Sequence, residues 1–272
     1  MRAGRKYWRY TFDARSESGL ILPGRPTIGA QQMLMGFNSA VSSNANTRLL
    51  LNCNGSNNAT VFTDSSQYSR TVSGFGSVAT YTGVKKYGSA SIGASVVSNS
   101  ATYLQVSDTS ELELGSNDFC IEAWVYYTSS VYNGVWSPVI SDKSATNQFE
   151  HRFGLIGGAS SVATLWFYWT TDGSTLQSHN SGSFTPGTGS FTHYAVSRSG
   201  SNLYFWRGGT QQGSTGTISG TIHQGTGNWR TMGATGVSIS FDGYVDDIRV
   251  TIGEARYTSS FTPPTAELTM YG

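Results

Sequence analysis

Four acidic residues, Asp242, Asp246, Asp247 and Glu254, lie within the stretch FDGYVDDIRVTIGEARYTSSFTPPTAEL, residues 241–268. Carboxyl groups clustered in this way perform three different tasks in proteins. Two carboxyls about 5–5.5 Å or about 6.5–9.5 Å apart can cleave a glycosidic bond, and about 6–8 converging oxygens can bind calcium. In the third case, backbone amides satisfy the carboxylates, which then serve only to hold the fold together.

The alternation of this run favours the third, structural role. Residues two apart in a strand share a face, so Asp246 would lie on the same face as Ile248 and Val250. Because Ile248 and Val250 are apolar, we expect Asp246 at the edge of the core, where backbone donors must satisfy it. Asp247 and Arg249 fall on the other face, where we expect them to pair with each other.

Other acidic residues offer no second catalytic pair. Glu111 and Glu113 are two apart in SELELG, but Leu112 and Leu114 fill the other face. This segment is therefore interpreted as a connection that turns its glutamates to solvent. Glu122 is a single acid within its strand-like run.

The remaining catalytic residue types are equally scattered. Four histidines, at positions 151, 179, 193 and 223, show no paired spacing of the kind that binds zinc. No serine occupies a Gly-x-Ser-x-Gly elbow. GFGSVA, residues 74–79, is interpreted as a turn because no helix-forming run follows it. We therefore expect no catalytic residue, no metal centre and no enzymatic activity.

Calcium stays open as a cofactor, with no ligand assigned. Some sandwich modules bind it through loop carboxylates and carbonyls, and several aspartates of this chain lie in turn-like segments. Sequence cannot show whether such oxygens converge. The aspartates concerned are Asp64, Asp108, Asp118, Asp142 and Asp172.

Glycan binding has its own candidate residues. Sugar rings stack on exposed aromatic faces, and Trp136 and Trp229 lie in segments rich in Gly and Asn rather than in strand centres. Tyr168 and Trp169 flank a turn. The alternative is that these four aromatics plug the ends of a folded body, and the sequence does not decide between the two.

The elements that would position these residues are short strands. Only 12% of the 272 residues are charged, whereas the chain holds 33 Gly, 15 Tyr, 13 Phe and 7 Trp, a composition that favours strands and turns over long helices. FCIEAWVYY, residues 119–127, places Phe, Ile, Ala and Val on one face, and RSGSNLYFWRGG predicts a hairpin. Many short strands of this kind predict an all-β jelly-roll sandwich of two antiparallel sheets.

Two cysteines, Cys53 and Cys120, lie in apolar strand-like runs and are interpreted as buried thiols, with a disulfide as the alternative. No apolar run approaches the about 18 residues of a membrane span, and the start MRAGRKYWRY is not followed by a signal-peptide core. The net charge of +1 does not favour a nucleic acid as partner.

Residues 1–46 form a separate, extended N-terminal arm in this interpretation, and residues 47–272 form the sandwich. The arm has a net charge of +4 and the remainder a net charge of −3. Such a basic and aromatic segment has too little apolar surface to fold alone and is suited to docking on another protein. The anchoring residues proposed are Arg2, Arg5, Lys6, Tyr7, Trp8 and Arg9.

Seven ordered motifs resemble one family: LLLNCNG, FTDSS, KKYGSASIG, YLQVSDTSELELGSNDFCIEAWVYY, PVISDK, FTHYAVSRSGSNLYFWRGG and the closing FDGYVDDIRVTIGEARYTSSFTPPTAEL. Their order is similar to the laminin-G-like branch of the concanavalin A-like lectin/glucanase fold, over about residues 47–268. The resemblance implies a sandwich of two curved antiparallel sheets, with His193 as a structural strand histidine. Related glucanases carry acidic residues alternating along one strand, and that alternation is missing here.

The tail GEARYTSSFTPPTAEL is similar to the form of this module found in bacteriophage structural proteins. The resemblance implies a non-enzymatic virion protein, as capsid decoration or as a tail or fibre component. Such a protein would dock on other virion proteins through residues 1–46, and we expect a homo-oligomer located in the virion. The alternative is an adhesion module that binds glycans or a receptor.

Overall fold

The computed structural model describes most of the chain beyond the N-terminal arm. Apart from Asn46, the arm and its anchoring residues lie outside the described part, so the predictions made for it are neither supported nor contradicted. The described residues are 46–96, 102–128, 135–145, 148–158, 162–233 and 241–271.

Strands dominate the described residues, and the connections between them include a single-turn 3-10 helix, Ser110–Leu112. The sixteen strands described are β1 Thr47–Leu51, β2 Phe62–Thr63, β3 Thr71–Phe75, β4 Ala79–Tyr81, β5 Ser91–Val96, β6 Tyr103–Val106, β7 Phe119–Tyr127, β8 Trp136–Ala145, β9 Gln148–Gly157, β10 Ala163–Trp169, β11 Gln177–Phe184, β12 Phe191–Ser199, β13 Asn202–Arg207, β14 Thr210–Thr217, β15 Trp229–Thr231 and β16 Phe241–Ile252.

These strands form two eight-stranded antiparallel sheets. The first sheet has the order β14-β13-β12-β7-β16-β5-β4, and β1 pairs with the second half of β16. The second sheet has the order β11-β10-β9-β8-β15-β6-β3-β2. The predicted two-sheet sandwich and the β12-β13 hairpin are both confirmed.

Strand alternation places the core between the two sheets. In β7, Phe119, Ile121, Ala123 and Val125 belong to the main hydrophobic cluster, as the sequence predicts. In β10, every second residue from Ala163 to Trp169 is buried in the same cluster. The residues between them point to the faces turned away from the partner sheet, which we call the outer faces.

A β-bulge in β16 corrects the predicted arrangement of its aspartates. The register with β7 shifts between Asp246 and Arg249, and Asp247 has a φ of 47°. Val245 and Ile248 therefore both face the core, because the bulge adds one residue to the strand and reverses its alternation. Asp246 does not share the face of Ile248, contrary to the prediction from a regular strand.

Residues 253–271, here called the C-terminal strap, run without regular structure along the outer face of the first sheet. Tyr257 and Phe261 pack against a small buried cluster of Cys120, Ala195 and Trp206. The Phe261 amide donates to the Gly209 carbonyl, 2.9 Å away. A Cβ on Gly209 would meet the Phe261 carbonyl oxygen at 1.8 Å, so this close approach requires glycine.

Both cysteines are free and buried, as predicted. Cys53 belongs to the main core cluster, whereas Cys120 lies on the outer face of the first sheet, beneath the strap. The middle of GFGSVA forms a turn, as predicted, whereas its first two residues belong to β3 and its last residue to β4. Among the described residues, no helix has the length and apolar character needed to cross a membrane.

Candidate functional site

The outer face of the second sheet carries a group of aromatic side chains that we call the aromatic cluster: Trp136, Trp166 and Tyr168. Trp166 and Tyr168 are two apart in β10, so both point outward. Their rings stack with centroids 5.2 Å apart and planes 17° apart. Trp136 of β8 meets Tyr168 edge-on at 5.6 Å. Tight packing of this kind fixes the ring positions before any ligand arrives.

The three rings differ in how much surface they offer. Trp166 and Tyr168 are half-buried, whereas Trp136 is only 8% exposed. The Arg152 guanidinium lies 5.4 Å from the Trp136 ring centroid and donates from Nε to Asp142 Oδ1 at 2.9 Å. Trp166 and Tyr168 are therefore the rings that a ligand can reach, and Trp136 supports them.

Two of the four predicted glycan-binding residues lie elsewhere. Trp169 is 3% exposed and stacks on Phe167 in the core, at 5.8 Å. Trp229 is 1% exposed and donates from Nε1 to Ser141 Oγ at 2.8 Å. Neither ring presents a face to solvent, because alternation in β10 and β15 turns both inward. The sequence analysis overlooked Trp166, although the same alternation links it to Tyr168.

The aspartates of β16 form a hydrogen-bond seam, as the sequence analysis expected. Asp246 Oδ2 accepts from the Lys86 and Tyr87 amides at 2.8 and 3.3 Å. Asp247 accepts from Asn52 Nδ2 at 2.9 Å and from the Leu268 amide at 3.1 Å. Burial raises the pKa of Asp246 to about 7 and that of Asp247 to about 6. The hydrogen bonds lower both pKa values, but burial has the larger effect. The pair ties three distant segments together.

Arg249 pairs with Glu122 of β7, and not with Asp247 as predicted. Glu122 Oε1 accepts from Arg249 Nε and Nη2 at 2.8 and 2.7 Å. Glu122 Oε2 is 2.9 Å from His193 Nε2 and accepts from the Tyr257 hydroxyl at 2.8 Å. Burial alone would raise the pKa of Glu122, but Arg249 and His193 outweigh it and lower that pKa. His193 is thus a structural histidine, as the family resemblance implied.

A second network surrounds the buried ammonium group of Lys143 in β8. Its Nζ donates to Asp108, Glu113 and Glu150 at 2.7, 2.6 and 2.8 Å. Glu113 is only 9% exposed, which corrects the expectation that both glutamates of SELELG face solvent. Burial raises the pKa of Glu150 to about 7. Lys143 thus supplies the cation that these three carboxylates surround.

The aspartates considered as calcium ligands are occupied by neighbouring donors and do not converge. Asp64 accepts from three backbone amides, and Asp172 from the amides of Ser174 and Thr175. Asp118 accepts from the Gly200 amide, and Asp142 lies inside β8 rather than in a turn. Within the described ranges, no group of three His, Cys, Asp or Glu residues is arranged to hold a metal ion.

Several solved structures share this fold at low sequence identity. The binding domain of Paraclostridial Mosquitocidal Protein 1 superposes with a TM-score of 0.57 at 12% identity, covering 79% of this chain and 50% of that one. Domain 4 of AbnA, a GH43 extracellular arabinanase from Geobacillus stearothermophilus, was solved in complex with arabinotriose. It superposes with a TM-score of 0.52 at 19% sequence identity, covering 71% of this chain and 87% of that one.

The binding domain of botulinum neurotoxin DC, solved with rat synaptotagmin II, gives a TM-score of 0.53 at 14% identity, covering 84% of this chain and 50% of that one. The chain thus spans about half the length of the two toxin domains. At these identities, the likeness establishes the fold alone.

No curated protein matches the sequence. A family profile does match it, over residues 98–253, and that profile describes the concanavalin A-like lectin/glucanases superfamily. The match covers β6 to β16 completely, together with the Lys143 network and, from the other network, Glu122, His193 and Arg249. Because it spans more than half of the 272 residues, the chain belongs to the concanavalin A-like lectin/glucanases superfamily.

Proposed function

We propose that this chain is a non-enzymatic binding module whose ligand is a glycan, free or carried by a receptor. The observation that carries the proposal is the stacked, half-buried pair of Trp166 and Tyr168 on the outer face of the second sheet. Ring faces held in place in this way bury apolar sugar faces at little entropic cost. Trp136 packs edge-on against Tyr168, and Arg152, the cross-strand partner of Tyr168, lies over the Trp136 ring.

The state of the carboxyl groups supports the absence of catalysis. A glycosidase needs one carboxyl free to donate a proton and a second free to attack or to activate water. Glu122 is bound by Arg249, His193 and Tyr257. Glu113 and Glu150 share the Lys143 ammonium group. We expect a screen on β-glucans to show no hydrolysis.

Among proteins of the same fold, some bind a sugar and others bind a protein receptor. One structural neighbour was solved in complex with arabinotriose, and another is a toxin binding domain in complex with synaptotagmin II. Their sequences are too distant to transfer a ligand. They support the choice of a binding module within a superfamily that also contains glucanases.

A glycan array tests the proposal directly. We expect the full chain to bind at least one glycan, and we expect Trp166→Ala and Tyr168→Ala each to weaken that binding about tenfold, since each removes one stacking face. Tyr271→Ala is the matched control, because Tyr271 is 56% exposed and lies outside the cluster. Absence of binding to the whole array, or equal binding by all variants, would refute this function.

A virion location is a further proposal, supported by the composition of residues 1–46 and by the resemblance of the tail motif. In that setting the arm would anchor the module on a particle, and the sandwich would display the glycan-binding face. Deleting residues 1–46 should leave a folded, soluble body that no longer incorporates into particles. Incorporation of the shortened chain at the normal level would contradict the anchoring role.

A further inference from the structure

The outer face of the first sheet carries a second row of aromatic rings, far from the aromatic cluster. We call it the tyrosine stripe, and it consists of Tyr81, Tyr244, Tyr126 and Phe191, from β4, β16, β7 and β12. Consecutive ring centroids are 5.4, 5.7 and 5.3 Å apart. All four side chains are half-buried. The rings therefore form one continuous, partly exposed line.

Strand register aligns this row across the sheet. Tyr244 is the direct cross-strand partner of Tyr126, and Tyr126 is the partner of Phe191. The stripe thus crosses five adjacent strands, β4, β5, β16, β7 and β12. Four inter-strand spacings of about 4.8 Å give it a length of about 19 Å.

Gly93 of β5 makes the row continuous. A Cβ at this position would lie 2.8 Å from ring atoms of both Tyr81 and Tyr244. Glycine therefore allows the two rings to lie over the strand and to meet edge-on, with planes 74° apart. The tyrosine stripe is therefore a continuous surface because Gly93 lets neighbouring rings touch.

The C-terminal strap leaves this part of the sheet uncovered. Farther along the same strands, Trp124 is 5% exposed beneath Tyr87 and Lys86, and Phe261 covers His193. In β7 the stripe begins at Tyr126, two residues beyond Trp124 and on the same face, and Tyr126 is only half-buried. Within the described ranges, the stripe forms the open end of an outer face that other residues cover farther along.

The chemistry of the stripe favours an uncharged ligand rich in hydroxyl groups. Among the described residues, the hydroxyls of Tyr81, Tyr126 and Tyr244 make no hydrogen bond, so they can donate to a ligand and accept from it. Exposed Asp242 lies on the same face of β16. Burial, the Tyr81 phenol and the Asp242 carboxylate all raise the pKa of Tyr244. A negative neighbour of this kind disfavours polyanions.

We propose that the tyrosine stripe binds an extended, neutral polysaccharide, with its chain lying across the strands. The site is independent of Trp166 and Tyr168, because the two surfaces lie on opposite faces of the sandwich. Together they would make the module bivalent and able to link two glycan chains.

Affinity gel electrophoresis tests this with three neutral probes: hydroxyethyl cellulose, debranched arabinan and laminarin. The starting protein is the full chain carrying Trp166→Ala and Tyr168→Ala, so that only the stripe remains. We expect at least one probe to retard it. Tyr126→Ala and Tyr244→Ala, added separately, should each weaken that retardation about tenfold, whereas Tyr271→Ala should not change it.

Two further variants separate the contributions of the stripe. Tyr126→Phe keeps the ring but removes a hydroxyl, so it should cause a smaller loss than Tyr126→Ala and serves if the alanine variant does not fold. Gly93→Ala keeps all four rings but displaces two of them, so it should also weaken binding. Thermal unfolding of each variant establishes that it is folded.

Retardation by none of the three probes would overturn the proposal, as would retardation that persists unchanged in the tyrosine variants. Sedimentation of the same proteins tests the main alternative, in which a second copy of this chain binds the stripe. If Tyr126→Ala converts a dimer into a monomer without changing polysaccharide binding, the stripe is a contact between two copies of the chain. Failure of the array test at Trp166 and Tyr168 would leave this result unaffected.

Discussion

At the scale of single residues, charged groups in this protein are stabilised by partners from distant parts of the chain. Glu122 in β7 is held by Arg249 in β16, by His193 in β12 and by Tyr257 in the strap. The Glu122 and Arg249 side chains are almost completely buried. A buried charge that loses its partner is costly, because water cannot replace the missing contact.

Replacing Glu122 by Gln should therefore lower the free energy of unfolding by about 3–5 kcal/mol, since it leaves the Arg249 charge buried and unpaired. Urea unfolding measures the change. Glu111→Gln, at an exposed position, is the control and should change stability far less than Glu122→Gln. A loss below about 1 kcal/mol for Glu122→Gln would mean that the pair contributes like an ordinary surface ion pair.

The raised pKa values of Asp246 and Asp247 should make the stability of the protein depend on pH. Their pKa values are raised from 3.8 to about 7 and about 6, so the folded protein binds these protons more tightly than the unfolded chain does. The resulting stabilisation is complete when the pH lies below 3.8, the ordinary pKa of an aspartate. It is lost as the pH rises through about 6 to 7, the pKa values in the folded protein. Glu150, with its pKa raised to about 7, acts in the same direction. His151, whose pKa burial lowers to about 3, opposes these three carboxyls below about pH 6.5, but it is one group against three.

We therefore expect a higher thermal unfolding midpoint at about pH 5.5 than at about pH 8. Asp247→Asn, which cannot ionise, should show a smaller difference between the two conditions even if its midpoint is lower at both. A wild-type midpoint that increases from pH 5.5 to pH 8 would contradict the sign of these shifts.

At the scale of elements, the bulge of β16 and the C-terminal strap depend on each other. The bulge turns the Asp247 carboxylate toward the strap, where it accepts from the Leu268 amide, and Asn52 donates both to Asp247 and to the Leu268 carbonyl. Period-two alternation predicted the strand but not its bulge. One extra residue in a strand leaves no pattern in hydrophobicity and becomes visible only through pairing with β7.

Leu268 provides a test of how firmly the strap is attached. Its side chain is 2% exposed, so Leu268→Ala should lower the free energy of unfolding by about 2–5 kcal/mol, as for other buried leucines. Leu176→Ala is the matched control, because Leu176 is 54% exposed and should change stability by about 0.5 kcal/mol or less. Equal effects of the two substitutions would show that the strap contributes little to stability.

At the scale of the whole molecule, the two sheets enclose one main core and leave two chemically different outer faces. The strap covers part of the first, where Cys120 is buried, and Trp166 and Tyr168 lie on the second. Cys53 belongs to the main core. The first sheet therefore separates the two thiols, which cannot form a disulfide without unfolding.

Thiol titration tests whether the two cysteines are buried and free, as the structure shows. We expect no rapid reaction of either cysteine with Ellman's reagent in the native protein, because both are buried, and reaction of both in guanidinium chloride. Addition of a reducing agent should leave the thermal unfolding midpoint unchanged. A lower midpoint under reducing conditions would show that a disulfide contributes to stability.

The sequence by itself determined the strands, the sandwich class and the burial of both cysteines, because each follows from local alternation and composition. It also indicated the structural role of the β16 aspartates, although the bulge reverses the alternation on which that argument was based. Only the tertiary structure decided that Trp229 and Trp169 lie in the core, that Trp166 lies beside Tyr168 outside it, and that Arg249 pairs with Glu122. The physical reason is that the face occupied by a side chain depends on register and bulges. Those are fixed by pairing between strands that can lie more than 100 residues apart in the chain, as β7 and β16 do.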